Sequence, residues 1–166
     1  MANAWKITAA NLVGAQAIDE TSTTQRHPLG TIITASSNTL GGGEFIYLKG
    51  IGSTVVGSVV NYDAAFTTEL NTTGLATPSP LAVAMSANVA NQYGWYQISG
   101  IATVVKSNAL SLAIGDTIAV SSGAAIVVAS GLIVNGAIVA AAASAVTAST
   151  SVQVMINRPT DPSDVS

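Results

Sequence analysis

Residues 94–105 read GWYQISGIATVV. Side chains alternate across an extended strand. Within GWYQISG, Trp95, Gln97 and Ser99 therefore share one face, and Tyr96 and Ile98 share the other. The chain is only 5% aromatic, yet Tyr93, Trp95 and Tyr96 crowd this one stretch. Two adjacent aromatics on opposite faces can both be buried only if the sheet is covered on both sides. A sandwich interior with a long loop behind it would do this, and so would a neighbouring subunit. Both arrangements stay open at this point. Trp95 is expected to be a buried packing anchor in either case.

The same texture runs outward from this strand. EFIYLKG, SVVNYD, LAVAMSA, DTIAVSS, AAIVVAS, GAIVAAAAS and SVQVMINRP are short Val/Ile/Ala-rich runs punctuated by Gly, Asn and Ser. Such runs at this spacing predict an all-β fold, a small barrel or sandwich. The Ala-rich run at 137–146 suits a helix by propensity, but the Gly and Ser around it and its lack of charge favour a strand. The β domain is expected over residues 41–158, with a C-terminal tail at 159–166. VVGSVVNYD (55–63) aligns with AIGDTIAVS (113–121), and YQISG at 96 meets VQVMI at 152 at nearly the same offset. Two related β units, 44–100 and 101–158, are one reading of the domain.

Residues 1–40 look different. AIDETSTTQRHPLG is polar and holds Asp19, Glu20, Arg26 and His27. This region predicts an extended N-terminal arm that buries little by itself, with a short helix near residues 9–17.

Composition excludes several functions. Cysteine is absent, so disulfides, thiolate chemistry and Cys-based metal sites are excluded. The net charge of −3 offers no basic footprint for nucleic acid. Residues 131–146, the most apolar tract, are broken by Asn135, Gly136 and Ser144 and fall short of a spanning helix of about 20 residues. MANAWKITAA has neither the basic start nor the long apolar run of a signal peptide, so synthesis in the cytoplasm without secretion is expected. His27 stands alone without a catalytic partner set, and LGGGEF is followed by no GKS or GKT. Asp161 and Asp164 are too few for calcium and read as a solvated tail. No catalytic residue, metal site or cofactor is expected. Charged residues make up 8% of the chain, against about 25% in average soluble domains. Either partners cover much of the surface, or Ser, Thr and Asn solubilise it.

HPLGT (27–31), GEFIYLKGIGSTVVGSVVNYD (43–63), PLAVAMSANVANQYGWYQISG (80–100) and the closing INRP (156–159) resemble a family of small structural proteins of tailed bacteriophages. These are encoded among the head genes and are similar to capsid decoration (cement) proteins. The resemblance extends from MANAWKI to INRP, strongest at 44–62 and 80–100 and weak at 107–150. It implies a β-rich, homotrimeric subunit without enzymatic activity. Such a subunit sits on the exterior of the virion capsid, where major capsid protein subunits meet. Partners are then the major capsid protein and further copies of the chain, with no nucleic acid and no membrane. Trp5, Arg26, His27 and Pro28 become candidate capsid contacts in the arm, and Tyr93 and Tyr96 candidate subunit contacts. Another virion part, tail or fibre associated, is one alternative. A carbohydrate-binding β-sandwich, with Trp95 and Tyr96 stacking on sugars, is the other.

Overall fold

The computed structural model describes residues 5–8, 14–52, 54–71, 79–88, 90–107, 111–127, 133–143 and 150–161. The fold is all-β, with eleven strands and no helix among these residues. In chain order they are β1 (Lys6–Ile7), β2 (Ile32–Ser37), β3 (Gly41–Lys49), β4 (Val59–Tyr62), β5 (Thr68–Leu70), β6 (Leu81–Ala84), β7 (Tyr93–Val105), β8 (Ile118–Ser121), β9 (Ala124–Val127), β10 (Asn135–Ala141) and β11 (Ser151–Thr160). The main antiparallel sheet runs β1-β2-β3-β7-β6-β4-β5, with β11 also on β7 and β10 on β11. The hairpin β8-β9 forms a second, two-stranded sheet. The sheet curls until a single bridge joins Lys49 to Thr67 beside β5. One bridge is not a ladder, so the barrel stays unclosed and the arrangement is sandwich-like.

The strand read first from the sequence is the spine. Its first half pairs with β3 and β6, and its second half with β11. Between them lies a bulge: Glu44 faces Ser99 while Phe45 faces Gln97, so β7 carries one extra residue. A bulge switches which alternate side chains face which side. Before it, Trp95 packs with Ile18, Ile33, Ala35, Phe45 and Tyr47, while Tyr96 and Ile98 pack with Ile46, Leu48, Val60, Ala82 and Ala84. After it, Ala102 and Val104 join a third core with Val83, Ile118, Val139 and Val154. Trp95 and Tyr96 are both 0% exposed. Both faces of the strand are covered, and by this chain itself.

A set of hydrogen bonds and bridges within residues 49–84 recurs within residues 106–139. In the turn Val55–Ser58, Ser58 N–H donates to Val55 O and Ser58 Oγ accepts from Val55 N–H. The turn Ala113–Asp116 closes the same way, with Asp116 Oδ2 in the place of the hydroxyl. Gly57 N–H donates to Ala84 O and Ala84 N–H to Ser58 O; Gly115 N–H donates to Val139 O and Val139 N–H to Asp116 O. Lys49 meets Thr67 in a parallel bridge, and Lys106 meets Ala125 in another.

Three expectations are corrected. Residues 14–40 are not a free arm: Gln16, Ile18, Ile33 and Ala35 are buried, and β2 pairs with β3 from Ile32↔Ile46 to Ser37↔Gly41. The run TIITASS alternates Ile33 and Ala35 onto the Trp95 face, which supplies the burial that the polar residues before it lack. Of the helix expected near 9–17, residues 9–13 lie outside the described residues, and 14–17 are a turn followed by irregular chain. The tail does not start at 159. β11 runs to Thr160, and Asp161 is buried, with Oδ2 accepting from Asn71 Nδ2 at 3.1 Å. Residues 162–166 lie outside the described residues.

Candidate interaction surface

The segment before β2 is held by a clamp centred on Gln16, which is 0% exposed. Its backbone N–H donates to His27 Nε2 at 3.2 Å. Its side-chain Nε2 donates to Glu20 O at 2.7 Å and Tyr93 O at 3.0 Å. Its Oε1 accepts from the Tyr47 hydroxyl at 2.8 Å, and its backbone carbonyl accepts from Trp95 Nε1 at 2.9 Å. A backbone pair between Ser22 and Tyr93 completes the attachment. Every polar atom of Gln16 is met, as burial of an amide demands. These bonds pin the segment to β3 and β7.

The candidate residues divide accordingly. His27 is buried, with its ring edge-on to Tyr47 at 5.0 Å and tilted on Trp95 at 5.3 Å. Tyr93 is half-buried and stacks on Tyr47 at 6.4 Å. Arg26 and Pro28 beside them are exposed; Arg26 lies 3.8 Å from Glu20. Trp5 is apart from this group, half-buried and edge-on to Phe45 at 4.9 Å. Tyr96 is corrected outright as a subunit contact. It lies in the core of its own subunit, where Asn88 Nδ2 donates to its hydroxyl. Burial pushes the Tyr96 hydroxyl pKa up, and hydrogen bonds from Thr68 and Asn88 oppose the shift. Gln16 and Tyr47 were not singled out from the sequence. Tyr47 lies in the strand run EFIYLKG, where alternation gives its face but not the Gln16 partner 31 residues away, and Gln16 carries no periodic signal.

The clamp is sensitive to pH. Burial, and secondarily the Arg26 charge, holds the His27 imidazole below its usual 6.5. The neutral Nε2 is also the atom that accepts from Gln16. As pH falls, the unfolded chain takes up the proton first. Stability is therefore full above about pH 6.5 and is lost below it, until the folded ring also titrates. Urea midpoints should fall between about pH 7.5 and 5.5, and the His27→Gln variant should lose that component of the slope. An unchanged slope in the variant would remove His27 from the account.

A cluster of exposed apolar side chains lies elsewhere. β10 and β11 expose Ile138 (45%) and Met155 (50%), and Ile133 stands next to them at 39%. With Thr117, Ala137 and Asn157 they line a shallow trough of about 390 Å³. From Ser107 to Asn157 the only ionisable side chain is Asp116. Val56 (59%) and Ile114 (70%) also project, from corresponding positions of the two matching turns. Single exposed apolar side chains are ordinary; Ile133, Ile138 and Met155 stand out because they are exposed side by side, with Asp116 and Arg158 at the margins.

Among the described residues, no group of three or more His, Asp or Glu could hold a metal ion, and no helix is long and apolar enough to cross a membrane. No protein-family model matches the chain, and no curated protein matches it.

Proposed function

We propose that this chain is a decoration subunit of a tailed-phage capsid, binding the exterior of the assembled head as a homotrimer and stabilising it. The observation that carries the reading is the trough of Ile133, Ile138 and Met155 in a stretch with almost no charge. That surface suits burial against copies of the same chain. The resemblance of HPLGT, residues 43–63, residues 80–100 and INRP to phage head proteins supplies the setting. Binding the assembled shell and not its loose subunits favours the shell by mass action, and many copies act together through multivalency.

The test pairs self-association with head binding. The wild-type chain should sediment as a trimer at micromolar concentration and co-sediment with tail-less heads. The double variant Ile138→Glu/Met155→Glu should be a folded monomer that decorates heads much more weakly, because two charges buried at a contact are strongly unfavourable. A wild-type monomer, or a variant that trimerises normally, overturns the self-contact. Absence from tail-less heads but presence on tails turns the reading to the tail or fibre alternative. The sugar-stacking alternative loses its platform, since Trp95 and Tyr96 are both 0% exposed.

A further inference from the structure

Asn135–Gly136 is the only Asn-Gly pair in the chain. It opens β10 and lines the trough with Ile133, Ile138 and Met155. Both residues of the pair are exposed. Among the described residues no hydrogen bond holds the Asn135 carboxamide. Asn135 pairs with Thr160 and Ala137 with Ile156, so Gly136 faces a bulge of β11, residues 157–159, without a register partner of its own. Gly136 has φ +75°, and a Cβ there would lie 2.7 Å from Asn157 O. The close pass of β11 therefore demands glycine at 136. The same missing side chain leaves the Gly136 nitrogen open to the Asn135 side chain beside it.

We infer that Asn135 is a site of spontaneous deamidation, and that the carboxylate it produces switches the trough off as a self-contact. Gly136 N attacks Asn135 Cγ and closes a succinimide ring. The Cγ–Nδ2 bond breaks, and Nδ2 leaves as ammonia with the proton from Gly136 N. Water then opens the ring at either carbonyl. One opening leaves aspartate at 135. The other leaves isoaspartate, with the backbone running through the former side chain. Both products place a negative charge in a trough whose described lining has no ionisable side chain. Isoaspartate also lengthens the backbone by one carbon where β10 enters its register with β11. A lone charge buried against an apolar neighbour is strongly unfavourable. Copies already in contact shield Asn135, so the change ages the unassembled chain first. The switch rests on the self-contact reading of the trough; the chemistry at Asn135 does not.

The experiment ages the purified full chain at mildly alkaline pH and reads each asparagine by peptide mass spectrometry. Asn38, Asn91 and Asn157 are internal controls, exposed but followed by Thr39, Gln92 and Arg158. Conversion at Asn135 should be at least about tenfold faster than at these three, because only glycine leaves the attacking nitrogen unshielded. It should speed up as pH rises, since that nitrogen must lose its proton, and isoaspartate should appear beside aspartate. Conversion no faster than at the controls, or aspartate without isoaspartate, overturns the site. For the switch, Asn135→Asp should self-associate at least about tenfold more weakly than wild type in sedimentation. Asn135 is exposed, so this variant keeps the fold. Aged wild type should lose association in step with conversion, while aged Asn135→Gln should match its own fresh form. Unchanged association of Asn135→Asp overturns the switch. A wild-type chain that is monomeric from the start sinks the self-contact reading and the switch with it, while conversion at Asn135, read by mass alone, stands.

Discussion

Trp95→Ala should destabilise the subunit by about 3–5 kcal/mol, the range for removing a large buried aromatic. Trp95 is 0% exposed and touches side chains from three places in the chain: Ile18 before the sheet, Ile33 and Ala35 on β2, Phe45 and Tyr47 on β3. Its indole N–H also holds the Gln16 carbonyl at 2.9 Å. Alanine leaves a cavity, an unmet buried carbonyl and a loosened clamp. Domains of this size have about 5–15 kcal/mol in hand, so the variant should be marginal at room temperature and its urea midpoint should move far down. A loss under about 1 kcal/mol would show that the N-terminal segment does not depend on this ring. Tyr96→Ala belongs in the same experiment. Because Tyr96 fills the opposite core, its loss should unfold the chain.

Gly100→Ala should cost about 2–5 kcal/mol, from backbone strain and overpacking together. Gly100 has φ +98°, a conformation that side chains rarely adopt, at the bulge where β7 passes from one set of partners to the next. A Cβ there would lie 2.4 Å from Gly42 O and 3.1 Å from Gly43 Cα. Both obstacles are backbone, so no side-chain rotation relieves them. The glycine run at 41–43 is thus part of β3 and admits β7 at close range. Thermal unfolding monitored by circular dichroism would report the change. A melting temperature within a degree or so of wild type would mean that the bulge can shift to accommodate the methyl group.

The strands were legible because their evidence is local. Alternation in GWYQISG and SVQVMINR, and Gly or Asn between short Val/Ile runs, act within a few residues. The same alternation put Trp95 and Tyr96 on opposite faces. What it could not reveal was who covers the Tyr96 face, because Val60, Ala82 and Ala84 arrive there through sheet curling. β2 was hidden by its setting. Ile33 and Ala35 follow a polar run, and composition over a window of forty residues outweighed two buried positions. Gln16 had no signal at all, since its role depends on partners as distant in sequence as Tyr93 and Trp95. Asp161 was masked in the same way by a proline- and aspartate-rich end, although Asn71 receives it in the body.

Two halves with matching hydrogen bonds suggest a molecule that could open one half at a time. The shared strand denies it that route. β7 supplies Tyr96 and Ile98 to one core, Trp95 to a second, and Ala102 and Val104 to a third. Releasing β11 from Val105–Ser99 strips one side of the same strand whose other end is held by β3 and β6. Partial opening of either half therefore exposes surface in both, and the free energy of local opening approaches that of global unfolding. The chain should therefore unfold as one cooperative unit. In the role proposed above, on a shell whose lattice is under strain, that would be the property of a rivet: whole under load until it fails altogether.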